Sequence, residues 1–159
     1  MKAIKCKYVL FDIPPALYVC QRYLSAVFPE LKIFKFRDFQ KYSEIKSEYE
    51  NADICFFTPN QMELLPKRQF NLCINISSLH EMTLETIKHY FHLINDYFNG
   101  YFFTKQWLNW TNPHDNLTIS YKDYPIPSNW KLIFFREHPI QTRFFEALYK
   151  KEENSCYPE

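Results

Sequence analysis

Lys7 to Pro29 reads KYVLFDIPPALYVCQRYLSAVFP, and where this stretch changes character decides the fold. YVLFDI, beginning at Tyr8, is a short apolar run of β-formers bounded by prolines, the pattern of a buried strand. Pro14 and Pro15 suit the first turn of a helix, where a missing N–H is no loss. Leu17, Cys20, Tyr23 or Leu24, and Val27 then recur at helical spacing, which predicts a helix that stops before Pro29. A single acid stands between strand and helix. Asp12 reads either as a polar turn residue or as a carboxylate held out at a strand's C-terminal edge, where open α/β sheets bind ligands.

Outward from that junction the alternation continues. LKIFKF (31–36) reads as a short strand, 38–51 as a charged helical connector, and ADICFFTP (52–59) as a second buried strand. A polar link, NQMELLPKRQ, leads to FNLCINIS (70–77), a third buried strand. Thr83 to Phe98 is an amphipathic helix with Leu84, Ile87, Phe91 and Ile94 on one stripe and Gly100 as its C-cap. YFFTKQWL (101–108) and WKLIFFRE (130–137) read as strands around a polar loop at 109–129, and Gln141 to Lys151 reads as a helix. The expectation is one α/β domain over 1–159, with a mostly parallel sheet covered by helices on both faces. Asp12, Pro59-Asn60-Gln61, Asn75 to His80 and Lys105-Gln106 all fall at predicted strand ends.

Composition narrows the chemistry. Hydrophobic residues make up 47% and charged residues 23%, globular values, and a chain of 159 residues buries roughly 70% of its unfolded surface. The net charge of +1 argues against nucleic acid or an acidic membrane as partner. No apolar run approaches the ~20 residues of a membrane span, and the N-terminus lacks a signal-peptide pattern. The five cysteines (Cys6, Cys20, Cys55, Cys73, Cys156) include no CxxC pair, which points to a reducing, cytoplasmic setting without a zinc site. In that setting the sequons at Asn75, Asn109 and Asn116 are coincidental. Gly100 is the single glycine, where average usage predicts about ten. A glycine-rich phosphate or cofactor loop is therefore excluded from this chain.

The order of these segments resembles a known family. ICFFTPNQMELLPKRQFNLCINISSLHEM has the cadence of class I methyltransferases that use S-adenosylmethionine. More narrowly, FDIPPALYVCQRYLSAVFP, FFTPNQ, NISSLHEMT and YFFTKQW resemble the bacterial sugar O-methyltransferase family, over about Tyr8 to Trp107 with an echo near YPIPSNWKLIFFREHP. The resemblance implies a Rossmann-like sheet in which the acid ending the family's second strand bonds the ribose hydroxyls of the cofactor. Asp12 matches that acid, and a carboxylate accepts from two vicinal donors at once. It further implies that Ile13 flanks the adenine, that Asn60 and Gln61 read its edge, and that Asn75, Ile76 and Ser77 lie near the sulfonium. The family's first strand, with its glycine-rich turn, has no counterpart. That strand lies centrally in the family's sheet, between the second and fourth strands. On this resemblance the chain is the C-terminal part of a longer methyltransferase domain and alone binds cofactor weakly or not at all.

Methyl transfer to a hydroxyl needs alignment and removal of the acceptor's proton. His80 and Glu81, beyond the family's fourth strand, are the candidates, although Ser78-x-x-Glu81 also reads as a capping box. His89 and His92 read as helix-surface residues. His114 and His138 sit near loops that could cover an acceptor. Lys105, Trp107 and Trp110 could line a sugar pocket or pack a core, and Met62 and Met82 read as packing. Two other readings stay open. One is a non-catalytic interaction domain, or inactive remnant, completed by a missing segment, a partner or a second copy at an unpaired strand edge. The other is a doubly wound nucleotide-sugar enzyme. On the leading reading the acceptor is a carbohydrate or nucleotide-sugar.

Overall fold

The computed structural model describes residues 6–113 and 116–152. His114 and Cys156, raised by the sequence, lie outside them. The chain divides into two compact units, Met1–Pro66 and Lys67–Glu159, and each has its own sheet and core.

In the first unit, β1 (Tyr8–Phe11), β2 (Ile33–Phe34) and β3 (Ile54–Phe57) form a parallel sheet in the order β1-β3-β2. All four residues of β3 are buried, as a central parallel strand requires. Helix α1 (Pro14–Val27) seats Leu17 against Ile54 and Phe56, with Leu10, Cys20 and Leu24 around them. On the opposite face the rings of Phe34, Phe39 and Tyr49 converge on Phe57. Tyr49 comes from the short α2 (Lys46–Asn51). The strand expected over 31–36 narrows to the two residues of β2. The link after β3 is not extended but a 3-10 turn, Pro59–Leu64.

In the second unit, β4 (Phe70–Ile76), β5 (Phe98–Trp107), β8 (Trp130–Glu137) and β9 (Phe144–Lys151) form a sheet in the order β4-β5-β9-β8. β4 and β5 are parallel, while β9 is antiparallel to both of its neighbours. Helix α3 (Leu84–Tyr97) lays Ile87, Phe91 and Ile94 on one face, where Phe91 meets Phe102 edge-on at 5.6 Å. A hairpin of β6 (Asn109–Thr111) and β7 (Thr118–Ser120) occupies the expected loop.

Several expectations are corrected here. Gln141 to Lys151 is not a helix: its larger part is β9, inserted between β5 and β8. Gly100 is not a C-cap but a residue of β5, and α3 ends at Tyr97 with Phe98 as its C-cap. Thr83 caps α3, accepting from the Thr86 N–H, and Ser78 makes no capping bond. The α/β class holds, but a single mostly parallel sheet covered on both faces does not describe it. The second unit's sheet is mixed. β4 is not buried on both faces, because Leu72, Ile74 and Ile76 are each more than half exposed.

Candidate functional site

In the first unit the site residues lie at the carboxyl ends of two neighbouring parallel strands. Phe11 and Phe57 are in register, and the Asp12 N–H donates to the Phe57 carbonyl at 3.2 Å, so Asp12 is level with Thr58. Asp12 Oδ1 accepts from its own neighbour, the Ile13 N–H, at 2.8 Å. The side chain is exposed, and its second oxygen is open to a ligand. Ile13, 61% exposed, presents an apolar surface beside that carboxylate. The start of α1 is short of donors. Pro14 and Pro15 carry no N–H, Ile13 gives its own to Asp12, and Leu17 bonds Ile13, leaving Ala16 alone. A helix N-terminus so depleted has little to offer a phosphate.

The next turn divides the roles expected of Asn60 and Gln61. Asn60 is exposed, whereas Gln61 is 3% exposed and each end of its amide has a main-chain partner. Gln61 Oε1 accepts from the Thr58 N–H, and Nε2 donates to the Arg37 carbonyl at 2.9 Å. Gln61 therefore holds the turn together from within. Asn60 is the residue of the pair that faces solvent at the rim.

In the second unit the expected residues Asn75, Ser77, His80 and Glu81 follow one another at the end of β4. Ser77 takes φ 55°, the left-handed region, and donates its N–H to the Lys105 carbonyl. That turn brings Ser78 back to Asn75, whose amide pairs with the Ser78 hydroxyl at 2.8 Å. His80 is 2% exposed, in the 3-10 turn Leu79–Glu81, with Trp110 edge-on at 5.3 Å and Trp107 at 6.2 Å. Its Nδ1 lies 3.0 Å from Gln106 Oε1, and its Nε2 lies 3.9 Å from the exposed Glu81 carboxylate. Gln106 Nε2 reaches Asn75 Oδ1 at 2.6 Å, the Asn75 carbonyl at 3.3 Å and Thr104 Oγ1 at 3.2 Å. A buried network of this kind is rigid when every member is satisfied.

Sequence reasoning passed over Thr104 and noted Gln106 only as lying with Lys105 at a predicted strand end, with no role assigned. Their signal was period-two alternation: Phe102, Thr104 and Gln106 share the buried face of β5. The other candidates are committed elsewhere. His138 Nδ1 accepts from the Ile140 and Gln141 N–H groups, while Nε2 faces Glu146, which also binds Arg136. Lys105 donates to Gln141 at 2.6 Å. Trp107 packs on Trp110 and Phe144, so it is a packing residue first. Met62 is buried, and His92 sits exposed 4.0 Å from Asp96. Among the described residues no three metal-ligating side chains cluster.

No family model matches the chain, and no curated protein matches it. Among solved structures it is similar to one from Sulfolobus solfataricus described as a "putative type 11 methyltransferase". The identity is 14% and the TM-score 0.47, over 88% of this chain and 96% of that one.

Proposed function

We propose that the chain is an S-adenosylmethionine-dependent O-methyltransferase, or part of one, acting in the cytoplasm on a hydroxyl of a sugar or nucleotide-sugar. The observation that carries the reading is the open carboxylate of Asp12 at the mouth of two parallel strands, beside exposed Ile13 and Asn60. A carboxylate with one oxygen free suits a ribose diol, and an apolar side chain next to it suits a base. The donor-poor start of α1 and the absence of a glycine-rich loop favour a nucleoside without phosphates over a nucleotide. The resemblance of the segments FDIPPALYVCQ, FFTPNQ and NISSLHEM supports the methyltransferase class, and the sugar acceptor rests on that resemblance alone.

Bound S-adenosylmethionine would supply a methyl group already activated on a sulfonium. In this reading Asp12 would hold the ribose and Ile13 and Asn60 would flank the adenine, all within the first unit. His80 Nε2 takes the acceptor hydroxyl's proton, and Glu81 stabilises the imidazolium that results. With no glycine-rich turn for the methionine end, affinity is expected near the millimolar range, about −4 kcal/mol. Titration of S-adenosylmethionine into the ¹⁵N-labelled chain should shift the Asp12, Ile13 and Asn60 amides, and Asp12→Ala should abolish those shifts. Amides that stay still at millimolar cofactor would sink the reading.

A second reading is favoured by one observation: the face of β4 that carries Leu72, Ile74 and Ile76 is apolar and exposed, as is the α1 stripe of Val19, Tyr23 and Val27. Patches of this kind mark contact surfaces in interaction domains. A chain that ignores the cofactor yet associates with itself, and loses that association on Ile74→Lys, would support it.

A further inference from the structure

We propose that Gln106 is a positioning residue that holds His80 as its Nδ1–H tautomer, with the Nε2 lone pair turned toward Glu81. Its relevance to proton transfer rests on the reading above that His80 receives the acceptor's proton; the tautomer itself does not depend on that reading.

The chain of assignment starts from an atom that has no choice. The Asn75 main-chain carbonyl is an acceptor only, so the Gln106 group 3.3 Å from it is the NH₂. The same NH₂ meets Asn75 Oδ1 at 2.6 Å, and the Asn75 amide nitrogen then faces the Ser78 hydroxyl at 2.8 Å. With Gln106 oriented by main chain, its Oε1 is the end that faces His80 Nδ1 at 3.0 Å. An oxygen there demands a proton on Nδ1. The opposite tautomer would set two lone pairs against each other where Gln106 is 0% and His80 2% exposed, with no room for water to mediate. Reversing the glutamine would instead point its oxygen at the Asn75 carbonyl. Which ring nitrogen is free for chemistry is set by the hydrogen bond that the other makes.

The consequence is directional. Nε2 lies 3.9 Å from the exposed Glu81 carboxylate, so the ring's lone pair is on the Glu81 side and its N–H on the Gln106 side. When an acceptor hydroxyl gives up its proton, that proton goes to Nε2. The cation so formed keeps its Nδ1–H bond to Gln106 and gains Glu81 as counter-charge. Trp107 and Trp110 against the ring hold its plane.

The test is a long-range ¹H–¹⁵N correlation spectrum of the imidazoles in the full chain, with the His80 signals assigned by their loss in His80→Gln. The expected neutral form has Nδ1 protonated and Nε2 unprotonated. Gln106→Leu should lose that pattern. A wild-type spectrum with the proton on Nε2 overturns the proposal, as does a folded Gln106→Leu chain whose pattern is unchanged. If Gln106→Leu does not fold, the wild-type spectrum still decides. Cofactor titration is read at different nuclei, the Asp12 and Ile13 amides, so failure of the methyltransferase reading leaves its own mark.

Discussion

A Cβ added at Gly100 would sit 2.1 Å from the Asn71 carbonyl oxygen, and main chain cannot move aside as a flexible side chain does. The register between β4 and β5 shifts between Phe70 and Leu72, so Gly100 serves the close approach of two backbones at an irregularity. Gly100→Ala is expected to destabilise the second unit by about 1–3 kcal/mol. Urea unfolding followed by tryptophan fluorescence would show it, since Trp107, Trp110 and Trp130 all belong to that unit. Burial governs the thiols just as locally. Desolvation pushes Cys55 up to about 11 and Cys73 up to about 12, while Cys6 is exposed. With iodoacetamide at pH 8 the native chain should label at Cys6 and spare Cys55 until urea is added. Neutral thiols out of water are poor nucleophiles. At this scale the sequence was a partial guide. Asp12 was legible because prolines frame the strand end that presents it. That Gln61 is buried and Asn60 exposed was not legible, because nothing in Pro-Asn-Gln tells which amide turns inward.

Helix α3 shows what an element does with its ends. Thr83 Oγ1 accepts from the Thr86 N–H at 3.3 Å, and Thr83→Ala should cost about 1 kcal/mol in a thermal melt. At the other end Lys67, 2.6 Å from Asp96, holds that carboxyl below the ordinary aspartate range. The sign follows: the stabilisation is complete above the unfolded aspartate value and is lost as pH falls through the lowered folded value. Because Lys67 is exposed, solvent screens the pair and the effect should be small. Asp96→Asn should flatten this part of the acid limb of a stability–pH curve. β9 was the element hardest to foresee. QTRFFEALYKK carries Glu, Ala, Leu and Lys, good helix formers, yet two flanking strands offer Phe145 and Ala147 a site where they are 2% and 0% exposed. Tertiary pairing outweighs a propensity difference of a few tenths of a kcal/mol per residue. By the same logic Phe102→Ala should cost about 3–5 kcal/mol, since that ring is 2% exposed.

For the molecule as a whole, near-neutral charge sets one firm expectation. At +1 the chain should show no salt-sensitive retention of duplex DNA in a mobility-shift assay at physiological ionic strength. Each unit has a core of its own. Leu17, Ile54 and Phe56 anchor the first, and Phe91 meets Phe102 in the second. β1 stands at an edge of the parallel sheet and β4 at an edge of the mixed one. What the amino-acid order determined by itself was local: strands and helices with strong hydrophobic periods, the missing glycine loop, and an acid delivered at a strand end. Those follow from contacts a few residues apart, where side-chain period and proline or glycine stereochemistry decide. Tertiary structure alone decided that β9 is a strand, that Gly100 serves a strand and not a helix end, and that Gln106 lies between Asn75 and His80. Gln106 meets partners 26 and 31 positions away, and β9 pairs with distant β5 as well as nearer β8, contacts that only the folded chain brings within hydrogen-bonding distance.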